Sequence, residues 1–167
     1  MSQGECWTPA YVGLGSNLGD PRRQVDRALA GLADAPGTRL VARSSLYASA
    51  PMGPIEQPDF INAVAGVLTQ LTPRELLAEL KSLELRLGRE PAVVRWGPRR
   101  IDLDLLMHGS VEINEPQLRL PHPGIAERAF VLLPLAEVAP HLQVPGFGRV
   151  DEMVRSVNSS GVKRLVE

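Results

Sequence analysis

Two aspartates one residue apart, Asp102 and Asp104, are the strongest candidates for chemistry in this sequence. They alternate with apolar residues, and in an extended strand alternate side chains project to the same face. Two neighbouring carboxylates on a half-buried strand repel each other unless a cation neutralises them. Carboxylate oxygens favour Mg²⁺, which prefers to share the phosphate groups of a substrate. The pair therefore predicts a metal and phosphate site, and the alternative is a solvent-facing pair that binds Arg99 or Arg100.

A histidine held between two prolines is the second candidate. His122 lies in this stiff loop six positions before Arg128, and an anion could contact both side chains. The alternative is that His122 is an ordinary polar loop residue. His108 and His141 are expected in turns or at the surface, and the three histidines do not have the spacing of zinc ligands.

A glycine-rich segment, GLGSNLG at residues 13–19, invites comparison with nucleotide-binding loops. Leu18 stands where a dinucleotide fingerprint needs glycine, and no Gly-Lys-Ser/Thr follows, so neither a Rossmann nor a Walker motif is present. Two interpretations stay open. The segment is either a tight connection between a strand and a helix capped by Asp20, or a contact for a ligand.

Aromatic residues make up only 4% of the chain. Phe60, Trp96 and Phe130 would ordinarily belong to the hydrophobic core. Two of these three residues lie beside loops rich in proline and glycine, where a flat heterocycle could be sandwiched between aromatic rings.

The elements that must position these residues follow a mixed pattern, which predicts an α+β fold. Strands are predicted at residues 10–14, 40–47, 60–68 and 100–107, with a turn at 108–110 leading into a hairpin strand at 111–113. Helices are predicted from Asp20 to the Pro36-Gly37 stop, from a Thr72 capping box to Gly88, and at residues 129–138 and 150–157. Residues 49–58 and 89–98 are predicted to be loops.

Length and charge limit the class of protein. A chain of 167 residues and 18.1 kDa has room for one domain, and we expect residues 1–167 to form it with a core at about 10–158. No apolar run is long enough for a membrane span, and a net charge of −1 with few aromatic residues makes nucleic acid a poor partner. The single cysteine, Cys6, allows no internal disulfide, so we expect a cytoplasmic protein. Only two of the 18 basic residues are lysines, and arginine suits a polyphosphate ligand.

Taken together, these segments resemble the 6-hydroxymethyl-7,8-dihydropterin pyrophosphokinase family from about Tyr11 to Val157. The matching segments are residues 13–19, 57–62, 83–89, 95–106 and 121–132, of which 95–106 is the most specific. The resemblance implies a ferredoxin-like two-layer sandwich, mainly antiparallel, with three mobile loops near Ser16, at 49–58 and at 89–98. It also implies an enzyme of folate biosynthesis that transfers diphosphate from ATP to the hydroxymethyl group of 6-hydroxymethyl-7,8-dihydropterin and releases AMP.

The resemblance also implies a role for individual residues of this sequence. Asp102 and Asp104 would hold two Mg²⁺ ions that bridge to the ATP phosphates. The pterin ring would stack between Phe60 and Phe130, and Trp96 would close over it. The edge of the ring would be read by Asn62 and by backbone groups near Ser49 and Met52.

The triphosphate of ATP would be held by four residues that also act in catalysis, and the nucleotide would be bordered by two more. The first group is Arg89, Arg99, His122 in its protonated form, and Arg128; the second is Lys81 and Glu84. The implied reaction is in-line attack of the pterin hydroxymethyl oxygen on the β-phosphorus, assisted mainly by positioning and charge. We expect a monomer with no nucleic-acid or membrane partner.

The sequence departs from the family pattern in two places. Residues 90–94 carry fewer basic residues than is common, and Gly124 stands where arginine is frequent, so weaker ATP binding is expected. Two other functions stay open: a metal-dependent nucleotidyl or glycosyl transferase, and a binding module without catalysis.

Overall fold

The computed structural model describes residues 6–88 and 100–165, which contain ten strands and four helices. The strands are β1 (Thr8–Ser16), β2 (Thr38–Arg43), β3 (Tyr47–Ser49), β4 (Phe60–Thr69), β5 (Asp102–His108), β6 (Ile113–Asn114), β7 (Arg119–Leu120), β8 (Gln143–Val144), β9 (Gly148–Arg149) and β10 (Val162–Arg164). The helices are α1 (Pro21–Ala33), α2 (Pro73–Arg86), α3 (Ala129–Val138) and α4 (Val150–Val154).

Six strands form one antiparallel sheet in the order β10-β3-β4-β1-β5, and β2 also pairs with β4. Helices α1 and α2 pack on one face of this sheet, where Ala63 and Ala65 of β4 join the larger hydrophobic cluster. Val64, which lies between them, belongs to a second cluster with residues of α3 and α4. The predicted α+β, ferredoxin-like arrangement is confirmed, and α3 and α4 cover the other face of the sheet.

Local signals placed most of the larger elements correctly. Asp20 caps α1 by accepting the backbone N–H of Arg23, and Thr72 forms the predicted capping box with Glu75 at the start of α2. The strands predicted at 10–14, 60–68 and 100–107 correspond to β1, β4 and β5, and α3 has the predicted bounds. The predictions of these elements are confirmed. They could be made from the sequence because helix caps and apolar periodicity depend on residues only a few positions apart.

The strand predicted at residues 40–47 is in fact two strands, β2 and β3, which pair with successive parts of β4. Arg43 and Tyr47 are four positions apart, whereas their partners on β4 are only three positions apart, so one residue is extra. Ser44 absorbs it: its N–H donates to the carbonyl of Val64 at 2.9 Å, and its hydroxyl accepts the N–H of Val64 at 2.9 Å. The prediction of one continuous strand was therefore wrong.

The hairpin predicted after β5 is also wrong. β6 pairs with β7 and not with β5. The chain does turn at Gly109, whose φ is 56°, and the N–H of Gly109 donates to the carbonyl of Pro9 in β1. Towards the C-terminus, α4 ends at Val154, three residues before the predicted end at residue 157. The core was predicted to end at about residue 158, but β10 adds a further strand to the sheet after that point.

Within the described residues, no helix combines the length and the apolar character that crossing a bilayer requires.

Candidate active site

Two cavities meet at β5. The first, called the slot here, has a volume of about 270 Å³ and lies between the sheet and the first turn of α3. The second, called the groove, has a volume of about 350 Å³ and lies between β5, α2 and the loops around β7. Asp102 and Asp104 line both cavities, so the two carboxylates form the wall that the slot and the groove share.

The strand geometry explains why the two carboxylates lie together. Asp102 and Asp104 are half-buried, whereas Leu103 and Leu105 are buried in the hydrophobic core. The prediction that both aspartates face the same side is confirmed. On the neighbouring strand β1, Gly15 lies opposite Asp102 and Gly13 lies opposite Asp104. Because cross-strand partners share a face, these glycines leave open the space in front of the carboxylates.

The glycine-rich segment contributes to this arrangement, and its predicted contact with a ligand stays a prediction. Gly13 and Gly15 both line the slot, and a Cβ atom on Gly15 would lie 3.1 Å from Oδ1 of Asn62. The segment is therefore both a strand end and part of a cavity wall. Within the same segment, the hydroxyl of Ser16 donates to the carbonyl of Arg100, and the amide of Asn17 donates to Oε1 of Gln57 at 2.8 Å.

A buried carboxylate holds β5 from its outer edge. Glu84 of α2 is only 5% exposed, and its Oε2 accepts the N–H of Leu103 at 2.7 Å. That N–H belongs to the residue between the two aspartates, so Glu84 helps to place both of them. Glu84 and the exposed Lys81 also line the groove, and their predicted place beside a nucleotide stays a prediction.

His122 is tied to β5 by an irregularity in the strand. Leu106 is an extra residue in the pairing of β5 with β1, since Val12 lies opposite Leu105 and Tyr11 lies opposite Met107. The N–H of His122 donates to the carbonyl of Leu106 at 2.9 Å. The loop histidine is thereby brought into the groove.

The protonation of His122 differs from what was expected. Its Nδ1 accepts the N–H of Gly124 at 3.0 Å, which leaves the proton of the neutral ring on Nε2. Burial and the positive charge of Arg128 lower the pKa of His122, and the negative charge of Asp102 opposes them. In the protein alone the neutral imidazole, an N–H donor at Nε2, is therefore favoured over the protonated ring.

The predicted aromatic and amide residues lie around the slot. Phe60 comes from the start of β4 and Phe130 from the first turn of α3, and both line it. Asn62 and Ser49 are each 4% exposed, and Nδ2 of Asn62 donates to Oγ of Ser49 at 2.7 Å. Met52 lies at the more exposed rim.

Arg128 lines the slot beside Asp102 and Asp104. Arg89, Trp96 and Arg99 lie outside the described residues, so their predicted roles stay predictions. Among the charged residues that line the groove, the sequence analysis missed Arg119 of β7. The buried Leu118 and Leu120 on either side of it are the signal that would have placed its side chain on the open face.

The donor set can be compared with the needs of a metal ion. The described residues contain no group of three or more His, Cys, Asp or Glu side chains able to enclose an ion. Two carboxylates beside open cavities instead match Mg²⁺, which keeps several waters and accepts phosphate oxygens from a substrate. Asp102 and Asp104 fit such an ion.

The chain is similar in sequence to proteins of one known family. A sequence model of the 7,8-dihydro-6-hydroxymethylpterin-pyrophosphokinase family matches residues 11–140. A 2-amino-4-hydroxy-6-hydroxymethyldihydropteridine pyrophosphokinase of Pseudomonas aeruginosa is 46% identical over 155 residues, which are 93% of this chain and 95% of the relative. The protein of the same name from Methylorubrum extorquens is 44% identical over 158 residues, which are 95% of this chain and 99% of the relative.

The fold is also similar to solved structures. The crystal structure of wild-type Plasmodium falciparum HPPK-DHPS with pterin and p-hydroxybenzoate matches with a TM-score of 0.73 at 15% identity, over 93% of this chain and 42% of that longer chain. This likeness concerns the fold. The sequence matches over nearly the whole length decide the family: the chain belongs to the 7,8-dihydro-6-hydroxymethylpterin-pyrophosphokinases, the enzymes of folate biosynthesis that transfer a pyrophosphoryl group to hydroxymethyldihydropterin.

Proposed function

We propose that the slot binds the pterin and the groove binds ATP, with the polyphosphate crossing the wall formed by Asp102 and Asp104. The observation that carries this proposal is that both carboxylates line both cavities. A transfer between two substrates needs their reacting atoms at such a shared boundary. Holding both there makes the step effectively intramolecular.

The slot suits a flat, polar heterocycle. Phe60 and Phe130 present ring faces for stacking. The hydrogen bond to Ser49 turns the amide nitrogen of Asn62 away, so its Oδ1 lies towards Gly15 at the slot wall as an acceptor. This combination of apolar faces and one oriented amide favours a pterin over an extended or aliphatic substrate.

Asp102 and Asp104 would hold two Mg²⁺ ions that also bind ATP phosphates. When bound, these ions supply positive charge beside the transferred group and orient it. The chain's own contribution at this point is to keep the two carboxylates in place through β1 on one side and Glu84 on the other.

The remaining residues would position ATP and balance its charge. Arg128 offers several N–H donors to the phosphates, and the Nε2–H of His122 is one neutral donor in the groove. The pterin hydroxymethyl oxygen would bond to the β-phosphorus and release its proton to solvent. The bond from that phosphorus to the oxygen bridging to the α-phosphate would break, and AMP would leave with that oxygen. Arg89, Arg99, Lys81 and Trp96 complete the proposed set.

The test is product analysis with ATP, Mg²⁺ and 6-hydroxymethyl-7,8-dihydropterin. AMP is expected to appear in step with pterin diphosphate, whereas ADP, or turnover without pterin, would contradict the proposal. Asp102→Asn and Asp104→Asn should each lower kcat about a hundredfold or more, because metal-held charge contributes several kcal/mol. Asp34→Asn, an exposed change at the end of α1, is the matched control and should keep full activity.

We also propose that the chain forms a single domain and acts as a cytoplasmic monomer on small molecules. The single cysteine is typical of a reducing compartment, and the net charge of −1 offers no overall positive field for nucleic acid. Light scattering at micromolar concentration tests the oligomeric state.

A further inference from the structure

Strand β7 brings a positively charged side chain into the groove. Leu118 and Leu120 are 5% and 3% exposed and belong to the larger hydrophobic cluster. Arg119 lies between them, is exposed and lines the groove. Because alternate side chains of an extended chain point to opposite faces, burial of the two leucines fixes Arg119 on the groove side.

Arg119 has no side-chain partner in the part of the chain that the structure describes. Within residues 6–88 and 100–165, its guanidinium forms neither an ion pair nor a hydrogen bond. The carboxylate nearest to it in the sequence, Glu115, pairs instead with Arg74 of α2. The N–H donors of Arg119 are therefore available to a ligand, and their planar arrangement suits two oxygens of one phosphate.

The groove has a reacting end at the two aspartates and a far end. Along α2, Glu84 is bonded to β5 between the aspartates, and Leu77 lies seven residues before it, about 10 Å along the helix. Along the opposite side, the N–H of His122 is bonded to β5, and Arg119 lies three residues before it. Both sides therefore lead away from the aspartates towards lower residue numbers.

The far end presents apolar side chains. Leu77 and Pro116 line the groove there. Just beyond them, the ion pair between Arg74 and Glu115 joins α2 to the loop between β6 and β7. Arg119 thus lies between the aspartates and this apolar end.

The groups of ATP follow one another in an order that matches the groove. The β-phosphate must lie at the aspartates, because it meets the pterin there. The flat base suits the apolar far end. The α-phosphate, which joins the β-phosphate to the nucleoside, then falls on the stretch of the groove that Arg119 lines.

We propose that Arg119 binds the α-phosphate of ATP, the phosphate that leaves with AMP. The proposal rests on the assignment of the groove to ATP and adds a residue to the set named above. When the bond to the β-phosphorus breaks, the α-phosphate gains a negative charge, and a guanidinium beside it stabilises the leaving group. Arg119 thereby supplies from β7 some of the positive charge that the sequence lacks at residues 90–94 and at Gly124.

Calorimetric titration with AMP, ATP and adenosine tests which part of the nucleotide Arg119 contacts. Arg119→Gln is expected to raise the Kd of AMP and of ATP about tenfold or more, because both contain the α-phosphate and lose a charged hydrogen bond. The Kd of adenosine, which has no phosphate, and the Kd of the pterin should each change less than about twofold, since neither contacts Arg119. Arg119→Lys keeps the charge and should restore part of the affinity for AMP.

Arg155→Gln is the matched control, since it removes an exposed arginine at the end of α4, and it should bind all four ligands normally. An equal loss of adenosine and AMP binding would place Arg119 at the base or ribose, and a loss for ATP alone would place it at the outer phosphates. Either result, or unchanged binding of AMP, would overturn the proposal. Thermal unfolding checks that Arg119→Gln is folded. Binding of AMP needs no transfer, so AMP formation by the wild-type chain tests the reaction separately.

Discussion

Opposite each aspartate of the proposed metal site lies a residue without a side chain. Gly13 and Gly15 face Asp104 and Asp102 across two strands. A side chain at Gly15 would meet Asn62, whose Oδ1 would be only 3.1 Å from its Cβ atom. The space in front of the carboxylates is therefore open because Gly13 and Gly15 have no side chains.

Stacking in the slot leads to a prediction about Phe130. Phe130→Ala should weaken binding of the pterin about tenfold to a hundredfold, because stacking of a heterocycle on an aromatic ring contributes about 1–3 kcal/mol. The Kd of ATP should change less than about twofold, since this ring lines only the slot. Calorimetric titration with each ligand measures both values.

The control for this variant is Phe147→Ala, which removes a ring that is 43% exposed on the β8–β9 hairpin. It should bind both ligands normally. An equal loss of pterin and ATP binding in Phe130→Ala would contradict stacking in the slot.

Helix α3 carries Phe130 at one end and is fastened to β3 at the other. The hydroxyl of Tyr47 donates to Oε1 of Glu137 at 2.8 Å, and the N–H of Ser45 donates to Oε2 at 2.9 Å. Burial, together with the hydrogen bond and negative charge of Glu137, raises the pKa of Tyr47 to about 12. Ser49 of β3 and Phe130 of α3 both line the slot. The hydrogen bond between Tyr47 of β3 and Glu137 of α3 therefore links two elements that form walls of the slot.

Removing that link should destabilise the protein measurably. Tyr47→Phe should lower the free energy of unfolding by about 1–2 kcal/mol, because a hydrogen bond to a charged group is lost and Glu137 retains its other partners. Urea unfolding at pH 7 measures the change. Tyr11→Phe is the control, since no hydrogen bond of the Tyr11 hydroxyl is found in the part of the chain that the structure describes. A change of the same size in both variants would rule out a specific role for the link.

Glu137 also connects α3 to the last strand of the sheet. Arg164 of β10 lies 3.8 Å from Glu137, and its Nε donates to the hydroxyl of Ser45 at 3.2 Å. Helix α3, the loop before β3 and the last strand thus meet at one carboxylate. Burial acts to raise the pKa of Glu137, but hydrogen bonds from Tyr47 and Ser45 and the charge of Arg164 outweigh burial and lower it.

A lowered pKa makes the stability of the whole protein dependent on pH in a defined direction. The unfolded chain takes up the proton near the ordinary value of 4.5, and the folded protein only at lower pH. The stabilisation is therefore complete above 4.5 and is lost as the pH falls through the lowered value. Urea unfolding between pH 7 and 3.5 should show the difference between wild type and Glu137→Gln shrinking on acidification. A difference that stays constant with pH would contradict this assignment.

Local patterns in the chain were enough to predict the alternation of Asp102 and Asp104, the capped starts of α1 and α2, and the strand that became β4. Each depends on interactions between residues two to four positions apart, which the order of amino acids specifies directly. The resemblance of segments such as residues 95–106 to a known family extended this to the reaction, which the comparisons support.

Contacts between distant parts of the chain were decided only by tertiary packing. The pairing of Gly15 with Asp102, the bond from Leu103 to Glu84, the extra residue at Ser44 and the partner of β6 all depend on which elements lie side by side. Periodicity shows that a backbone or side-chain group has a face to bury, but not which partner satisfies it, because many partners are equivalent until the sheet and its helices have assembled. For the same reason the sequence shows only that Gly124 carries no charge. The folded chain shows in addition that the side chain of Arg128 lies against Gly124.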